Sequence, residues 1–247
     1  MRRLSSCALT VLLFSVGLCA QQNETSLFEA HEQHDRTYDL PPGQDPQNQL
    51  VWPFVRHIAE DQEHFWTLPL HAHKRDLKWI LPAAGGVAGL FAADNWISKQ
   101  IPNRPNQIDR SLKISDYSLY SLIAAGGGSF VFGELSHNDH MRETGLLSAE
   151  SAINASGVAY VFKFASQRQR PSSGTGEDGG EGEFFKHSPA SSNLSFPSEH
   201  STIAWAIASV VAHEYPGTLT KFAAYGLATG VSLTRVTAHQ HFTSDVL

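Results

Sequence analysis

Cysteine and charge are both scarce in this 247-residue chain. Its two cysteines, Cys7 and Cys19, are too few for a disulfide framework or a cysteine-built zinc site. Charged residues make up 17% of the chain, and 18 Lys and Arg are outnumbered by 24 Asp and Glu. The basic excess that general nucleic-acid binding needs is therefore missing. Strand-like alternation of apolar and polar residues is also missing, which argues against a sheet. The chain is not an acidic disordered protein either, because 41% of it is hydrophobic and 10% aromatic. A length of this order suits one ordinary domain with a real core.

What is present begins with an address. Arg2 and Arg3 precede an apolar stretch from Cys7 to Leu18, and small residues surround Gly17, Cys19 and Ala20 before the polar Gln21-Gln22-Asn23. This reads as a signal peptide over residues 1–20. The apolar run is shorter than the roughly 20 residues a membrane span needs. A lipoprotein reading would use Cys19, but Leu18 stands where a small residue is expected. Cleavage near Gln21 removes both thiols and suits an exported, bacterial-type protein, periplasmic or envelope-associated. Residues 21–50, rich in Gln, Asn, His, Asp and Pro, read as a disordered polar arm. Residues 51–76 read as an amphipathic helix, from Pro53 to Trp66, and a connector.

Five further stretches read as helices: Leu77–Ile97, Asp116–Glu134, Thr144–Gln169, Ser201–His213 and Leu219–Arg235. Trp79–Ala93 and Tyr117–Gly133 carry no charge, yet their many Gly and Ser residues suit buried helices better than comfortable spans. Close association with a membrane stays open. The fold expected is all-α, a single helical bundle domain over residues 77–247. The Ser-, Gly- and Glu-rich stretch between Pro171 and Asn193 reads as a long loop, its acidic part 174–183 a solvated linker.

Three pieces of sequence carry chemistry. Lys163 and Arg170 are two helical turns apart, which places both on one face of a helix that Pro171 ends. Ser198, in Phe196-Pro197-Ser198-Glu199-His200-Ser201, is a good N-cap, and the helix start after it is a natural seat for an anion. His241 and Asp245 are four apart, so on a helix the carboxylate reaches the imidazole and fixes its tautomer, while Arg235 closes the preceding helix. Alone, the first reads as a solvated basic patch and the second as a plain cap with a surface histidine. Together they read as a phosphate site. Planar Arg forks match phosphate geometry, and two histidines can serve as nucleophile and acid.

The pattern Lys163-x6-Arg170-Pro171, Pro197-Ser198-x-His200 and Arg235-x5-His241-x3-Asp245 resembles the type 2 phosphatidic acid phosphatase superfamily. That superfamily also holds bacterial acid phosphatases and vanadium haloperoxidases. Nine identities match in order, too many for chance at about one in twenty per position. The resemblance implies a phosphatase acting on phosphate monoesters or on lipid or isoprenyl (di)phosphates. His241 would attack phosphorus and form a phosphohistidine, with Asp245 orienting its ring. Lys163, Arg170, Arg235, Ser198 and the backbone N–H of Glu199 would bind the phosphoryl oxygens. His200 would protonate the leaving group. No metal or other cofactor is implied, and the partner expected is a phosphate-ester substrate, possibly lipid.

Two departures from the pattern stand out. Glu199 occupies a position usually held by Gly; its side chain is expected to turn outward, and Glu199→Gly to keep or raise activity. The resemblance also implies a further apolar helix after Leu247, so the sequence reads as a C-terminally truncated member. A vanadate-dependent haloperoxidase is the alternative enzyme, since vanadate would fit the same cradle. An inactive phosphate- or lipid-binding structural protein is the alternative outside catalysis. His71-Ala72-His73 and His137-Asn138-Asp139-His140 hold metal-ligand residue types without a complete metal spacing and read as solvated loop ends. His239 is set aside because the Arg-x5-His-x3-Asp spacing selects His241.

Overall fold

Small side chains let four helices approach one another closely enough to build a core largely from alanine. The computed structural model describes residues 43, 48–173, 181–185 and 193–247; the expected signal peptide, most of the polar arm and most of the 171–193 loop lie outside these. Among the described residues six α-helices form: α1 (Trp52–Thr67), α2 (Leu77–Gln100), α3 (Pro105–Ser136), α4 (Asp139–Ser166), α5 (Glu199–Glu214) and α6 (Thr218–Thr237). No strand forms among the described residues, and the one β-like pairing is the isolated antiparallel bridge Gln169–Leu194. The fold is all-α.

Helices α3, α4, α5 and α6 pack each on the next, and α6 returns to α3, closing a four-helix ring. Leu119 and Leu122 from α3, Ala204, Ile207 and Ala208 from α5, and Ala224, Ala228 and Val231 from α6 form its core. Helix α1 lies on α4, where Gln62 and Asp61 bond Asn154. At the end of the polar arm, the Gly43 N–H and the Asn48 amide both donate to the Glu143 carboxylate of α4.

Helix α2 stands apart from the ring. Its main neighbour among the folded elements is the 3₁₀ turn Thr243–Val246, and its one buried residue is Asp94. Lys74–Gln100 has a mean hydropathy of 1.2 and is long and apolar enough to cross a membrane. Only 6% of its apolar window is covered by the rest of the protein.

Several boundaries differ from the sequence expectation. Helix α3 starts at Pro105, not Asp116, because proline at the first position needs no N–H there. Helix α4 starts at Asp139 because the Asn138 side chain caps it, accepting from the Met141 N–H at 3.1 Å. The same helix stops at Ser166, not at Gln169–Arg170. Gln167 takes a left-handed φ of 46°; the Arg168 carbonyl then accepts from the Ser195 N–H, and the Gln169 N–H donates to the Glu183 carbonyl. Pro171 therefore lies well past the stop and does not cause it. Lys163 and Arg170 do not share a helix face. Nor do His241 and Asp245 share a helix: His241 precedes the short turn Thr243–Val246 that carries Asp245. Residues 181–185, expected as part of a solvated linker, make backbone and ring contacts beside this turn.

The α3–α4 crossing sets how closely the bundle closes. A Cβ at Gly145 would sit 2.3 Å from the Phe130 backbone nitrogen, so the helices would have to separate. Gly127 meets nothing within 4 Å and lies on the exposed side of α3. Thermal unfolding should register opposite signs: Gly145→Ala should lose about 1–3 kcal/mol, whereas Gly127→Ala should gain about 0.5–1 kcal/mol.

Candidate functional site

Three separate segments converge beside the start of α5. Lys163 arrives on the last turn of α4. Burial lowers its pKa; Arg170 and Arg235 push the same way, and Glu199 opposes them. After the reversal at Gln167 the chain runs extended beside residues 194–195. Arg170 Nε then donates to the Leu194 carbonyl at 3.3 Å and Nη1 to Gln240 Oε1 at 2.9 Å. Both partners are neutral, so the guanidinium keeps its charge uncompensated by a direct ion pair in these bonds. Burial lowers its pKa as well, opposed by Asp245 and Glu199.

Arg235 lies in the last turn of α6, 7% exposed. Its Nε is buried without a hydrogen-bond partner among the described residues, an orphaned donor that carries a real energetic penalty. Burial and then Arg170 lower its pKa, while Asp116 and Glu199 raise it. The three cations are thus within electrostatic reach of one another. An anion would satisfy the orphaned donor and relieve the repulsion.

Helix α5 supplies the next groups. Ser198 caps it: its hydroxyl oxygen accepts from the Ser201 N–H at 3.4 Å and the Ser201 hydroxyl at 3.1 Å. The Ser198 N–H is already given to the Asp245 carbonyl at 2.7 Å, so its hydroxyl proton is what it can offer a phosphoryl oxygen. The Glu199 side chain is not turned away from the cations. It hydrogen-bonds Tyr160 and acts electrostatically on Lys163, Arg170, Arg235 and His200. His200 Nε2 lies 3.3 Å from Asp116 Oδ1, a residue of α3. Burial and Arg235 lower the His200 pKa, and Asp116 pulls it back up.

His241 is 2% exposed, and its Nδ1 is 2.7 Å from the Ser195 carbonyl. A carbonyl can only accept, so Nδ1 carries the proton and Nε2 the lone pair. Burial holds the imidazole pKa well below its usual value, reinforced by Arg235, Lys163 and Arg170. The tautomer is therefore fixed by Ser195, which corrects the expected role of Asp245. The Asp245 carboxylate is 3.8 Å from Nδ1, too far to bond it. Its oxygens are committed elsewhere, to Arg168 Nη1 at 2.5 Å, the Ser195 hydroxyl at 2.5 Å and the Phe242 N–H at 2.7 Å. His239, set aside on spacing, takes a left-handed φ of 54° that reverses the chain between α6 and His241.

Four residues of this neighbourhood escaped the sequence reading: Asp94, Asp116, Arg168 and Ser195. A signal existed for three of them. Asp94 and Asp116 each stand at the edge of an uncharged run, and Arg168 is a third cation within the Lys163–Arg170 motif. Ser195 had none. Among the described residues no group of three or more His, Cys, Asp or Glu is arranged to hold a metal. Of the histidine clusters, His71 and His73 are exposed, but His140 stacks on Tyr215 and pairs with Glu214 at 3.1 Å.

Asp116 faces His200 and Arg235 together, 3.3 and 3.8 Å away. Since its charge raises the His200 pKa, Asp116→Asn should lower it further. The ring resonances of His200, followed through a pH titration, should show the imidazolium lost at lower pH than in the parent protein.

Comparison with known proteins adds one match. Neither the curated proteins nor the solved structures include one that matches this chain. The family model described as PAP2 superfamily matches residues 145–247, a segment that holds α5, α6, nearly all of α4 and each of the motif residues from Lys163 to Asp245. Over that segment, the chain is similar to the PAP2 superfamily.

Proposed function

We propose that this protein hydrolyses phosphoric esters through a phosphohistidine on His241, without a metal. The match to the PAP2 superfamily supports phosphatase-type activity in general; the finer reading rests on the site. The observation that carries it is the pairing of three mutually repelling cations, one with an orphaned buried donor, with a neutral histidine whose Nδ1–H is fixed on a carbonyl.

The chemistry follows from those positions. Lys163, Arg170 and Arg235 hold the phosphoryl oxygens, joined by the Ser198 hydroxyl and the first-turn N–H groups of α5. The His241 Nε2 lone pair attacks phosphorus while the P–O bond to the alcohol breaks. The His200 imidazolium gives its proton to the departing oxygen. A water then attacks phosphorus, His200 takes its proton, and the N–P bond breaks to release inorganic phosphate. Asp245 acts at a distance, through Ser195 and the Phe242 N–H, as a positioning residue. The substrate class is phosphate monoesters or lipid or isoprenyl (di)phosphates. The proposed setting is outside the cytoplasm, with the apolar Lys74–Gln100 helix against a membrane.

The proposal fixes the pH response. His241 must be neutral and His200 protonated, and both pKa values lie below the ordinary imidazole value of 6.5. The rate should therefore peak on the acid side, falling at lower pH as His241 protonates and at higher pH as His200 loses its proton. Quenching turnover of a phosphomonoester with alkaline detergent should trap a phosphoenzyme that acid then releases as phosphate. His241→Ala should abolish that species and lower kcat by about 1,000-fold or more. Equal activity in the two proteins would remove His241 from the mechanism.

Glu199 adds an anion to a site built for one. Coulomb repulsion, reduced by partial solvent exposure, predicts that Glu199→Gln binds inorganic phosphate roughly tenfold more tightly. Calorimetric titration with phosphate would measure this, and unchanged or weaker binding would show that the carboxylate has a positive role.

A further inference from the structure

Among the described residues, the most heavily bonded charge belongs to none of the motif positions. Arg168 is 2% exposed and lies between two carboxylates, Nη2 to Asp94 Oδ2 at 2.7 Å and Nη1 to Asp245 Oδ1 at 2.5 Å. Its Nε donates to the Gly182 carbonyl at 3.2 Å. The rings of Phe91, Phe184 and Phe242 pack around the guanidinium at 4.9, 5.0 and 4.5 Å. Such a cation is shielded from any ligand, so its role must be exerted through its neighbours.

Those neighbours lead to the nucleophile. Asp245 Oδ2 accepts from the Ser195 hydroxyl, and the Ser195 carbonyl accepts from His241 Nδ1–H. The Asp245 backbone carbonyl holds the Ser198 N–H at the head of α5. On the opposite side, Asp94 Oδ1 accepts from the Ser244 N–H at 3.0 Å. The Ser244 hydroxyl accepts from Arg168 at 2.7 Å and donates to Asp94 Oδ2. Asp94 thus grips the loop that carries His241 twice, once through Arg168 and once directly at Ser244. It is the one buried residue of α2, a helix otherwise half-buried or exposed, and Phe91 one turn earlier is seated against Phe196 and Phe184.

We infer that Asp94 is a positioning residue for phosphoryl transfer: acting through Arg168 and Ser244, it holds residues 241–245 so that His241 Nε2 faces the phosphorus, and the seating of α2 thereby sets the activity of the site. This rests on the phosphohistidine reading above. The contacts described for Asp94 include none to Lys163, Arg170 or Arg235, so its loss should leave phosphate binding almost untouched while the attack geometry loosens. A displacement of about 1 Å can cost about 100-fold in rate.

The test compares Asp94→Asn and Ser244→Ala with the parent protein. Asp94→Asn removes the charge and keeps a possible acceptor for the Ser244 N–H. Ser244→Ala removes the hydroxyl link and keeps both charges. Expected for Asp94→Asn is a fall in kcat of about 10- to 100-fold, with the dissociation constant for inorganic phosphate within about twofold; Ser244→Ala should show a smaller fall of the same kind. Nitrogen-resolved spectra of the His241 ring give a readout independent of turnover. The parent should show a slowly exchanging Nδ1–H, and Asp94→Asn a faster one or a mixture of tautomers. If Asp94→Asn does not fold, Ser244→Ala carries both measurements. The inference is overturned if kcat and the His241 ring signals are unchanged, or if phosphate affinity falls in parallel with the rate. Inactive parent protein, or His241→Ala as active as the parent, would instead overturn the phosphohistidine reading, and the ring signals would still decide the positioning role.

Discussion

Holding three like charges within reach of one another is the constraint around which this site is organised. Lys163, Arg170 and Arg235 come from the end of α4, an extended segment and the end of α6; burial lowers the proton affinity of each, and repulsion among the cations adds to this at Lys163 and Arg235. No local element could hold them together. The bundle does so by joining α4, α5 and α6, while Leu194, Gln240 and Asp116 fix where the arginines lie. The carboxylates of Asp116, Glu199 and Asp245 offset part of the repulsion without removing it. What remains is a local excess of positive charge, the feature on which the proposed phosphate binding rests.

Two arginines two residues apart show how partners divide roles. Arg168 faces two carboxylates and three aromatic rings, so its charge is matched inside the protein. Arg170 is held by a carbonyl and an amide, which direct the guanidinium without neutralising it. The first holds the loop, and the second can meet a substrate. Removing one partner of a buried ion pair strands the other charge, a cost of about 3–5 kcal/mol. The Arg168 triad is accordingly the part of the site least open to change.

The fold class was legible in the sequence because each helix carries its own apolar pattern and small-residue content, and the motif residues were legible because their types and order are specific. Boundaries were less so. The spacing of Lys163 and Arg170 fits one helix face, but the end of α4 is decided by pairing with residues 183 and 194–195, far along the chain. The His241–Asp245 spacing misled for the same reason: the four-residue interval suits a helix, whereas the local bonds form a 3₁₀ turn. Asp94 could be noticed as a lone charge beside an apolar run, yet its partners lie 74 and 150 positions away. Ser195 acts through a backbone carbonyl, which every residue has, so no reading of side chains would single it out.

The separation of the two histidines follows from one difference in their hydrogen bonds. Burial first, and then the cationic field that both rings share, disfavours the imidazolium of each. His200 faces the Asp116 carboxylate, whose charge stabilises the protonated ring and keeps it available as an acid. His241 faces a carbonyl, which orients the ring and selects the tautomer while adding no full negative charge. Had the Asp245 carboxylate bonded Nδ1 directly, it would have favoured the imidazolium and masked the lone pair that the proposed attack requires. Placing Ser195 between them lets Asp245 fix the position of the His241 ring while the 3.8 Å gap limits the acidity cost. Orientation and proton affinity are thereby set by different groups, which is why the neutral form of His241 can coexist with a buried carboxylate so close by.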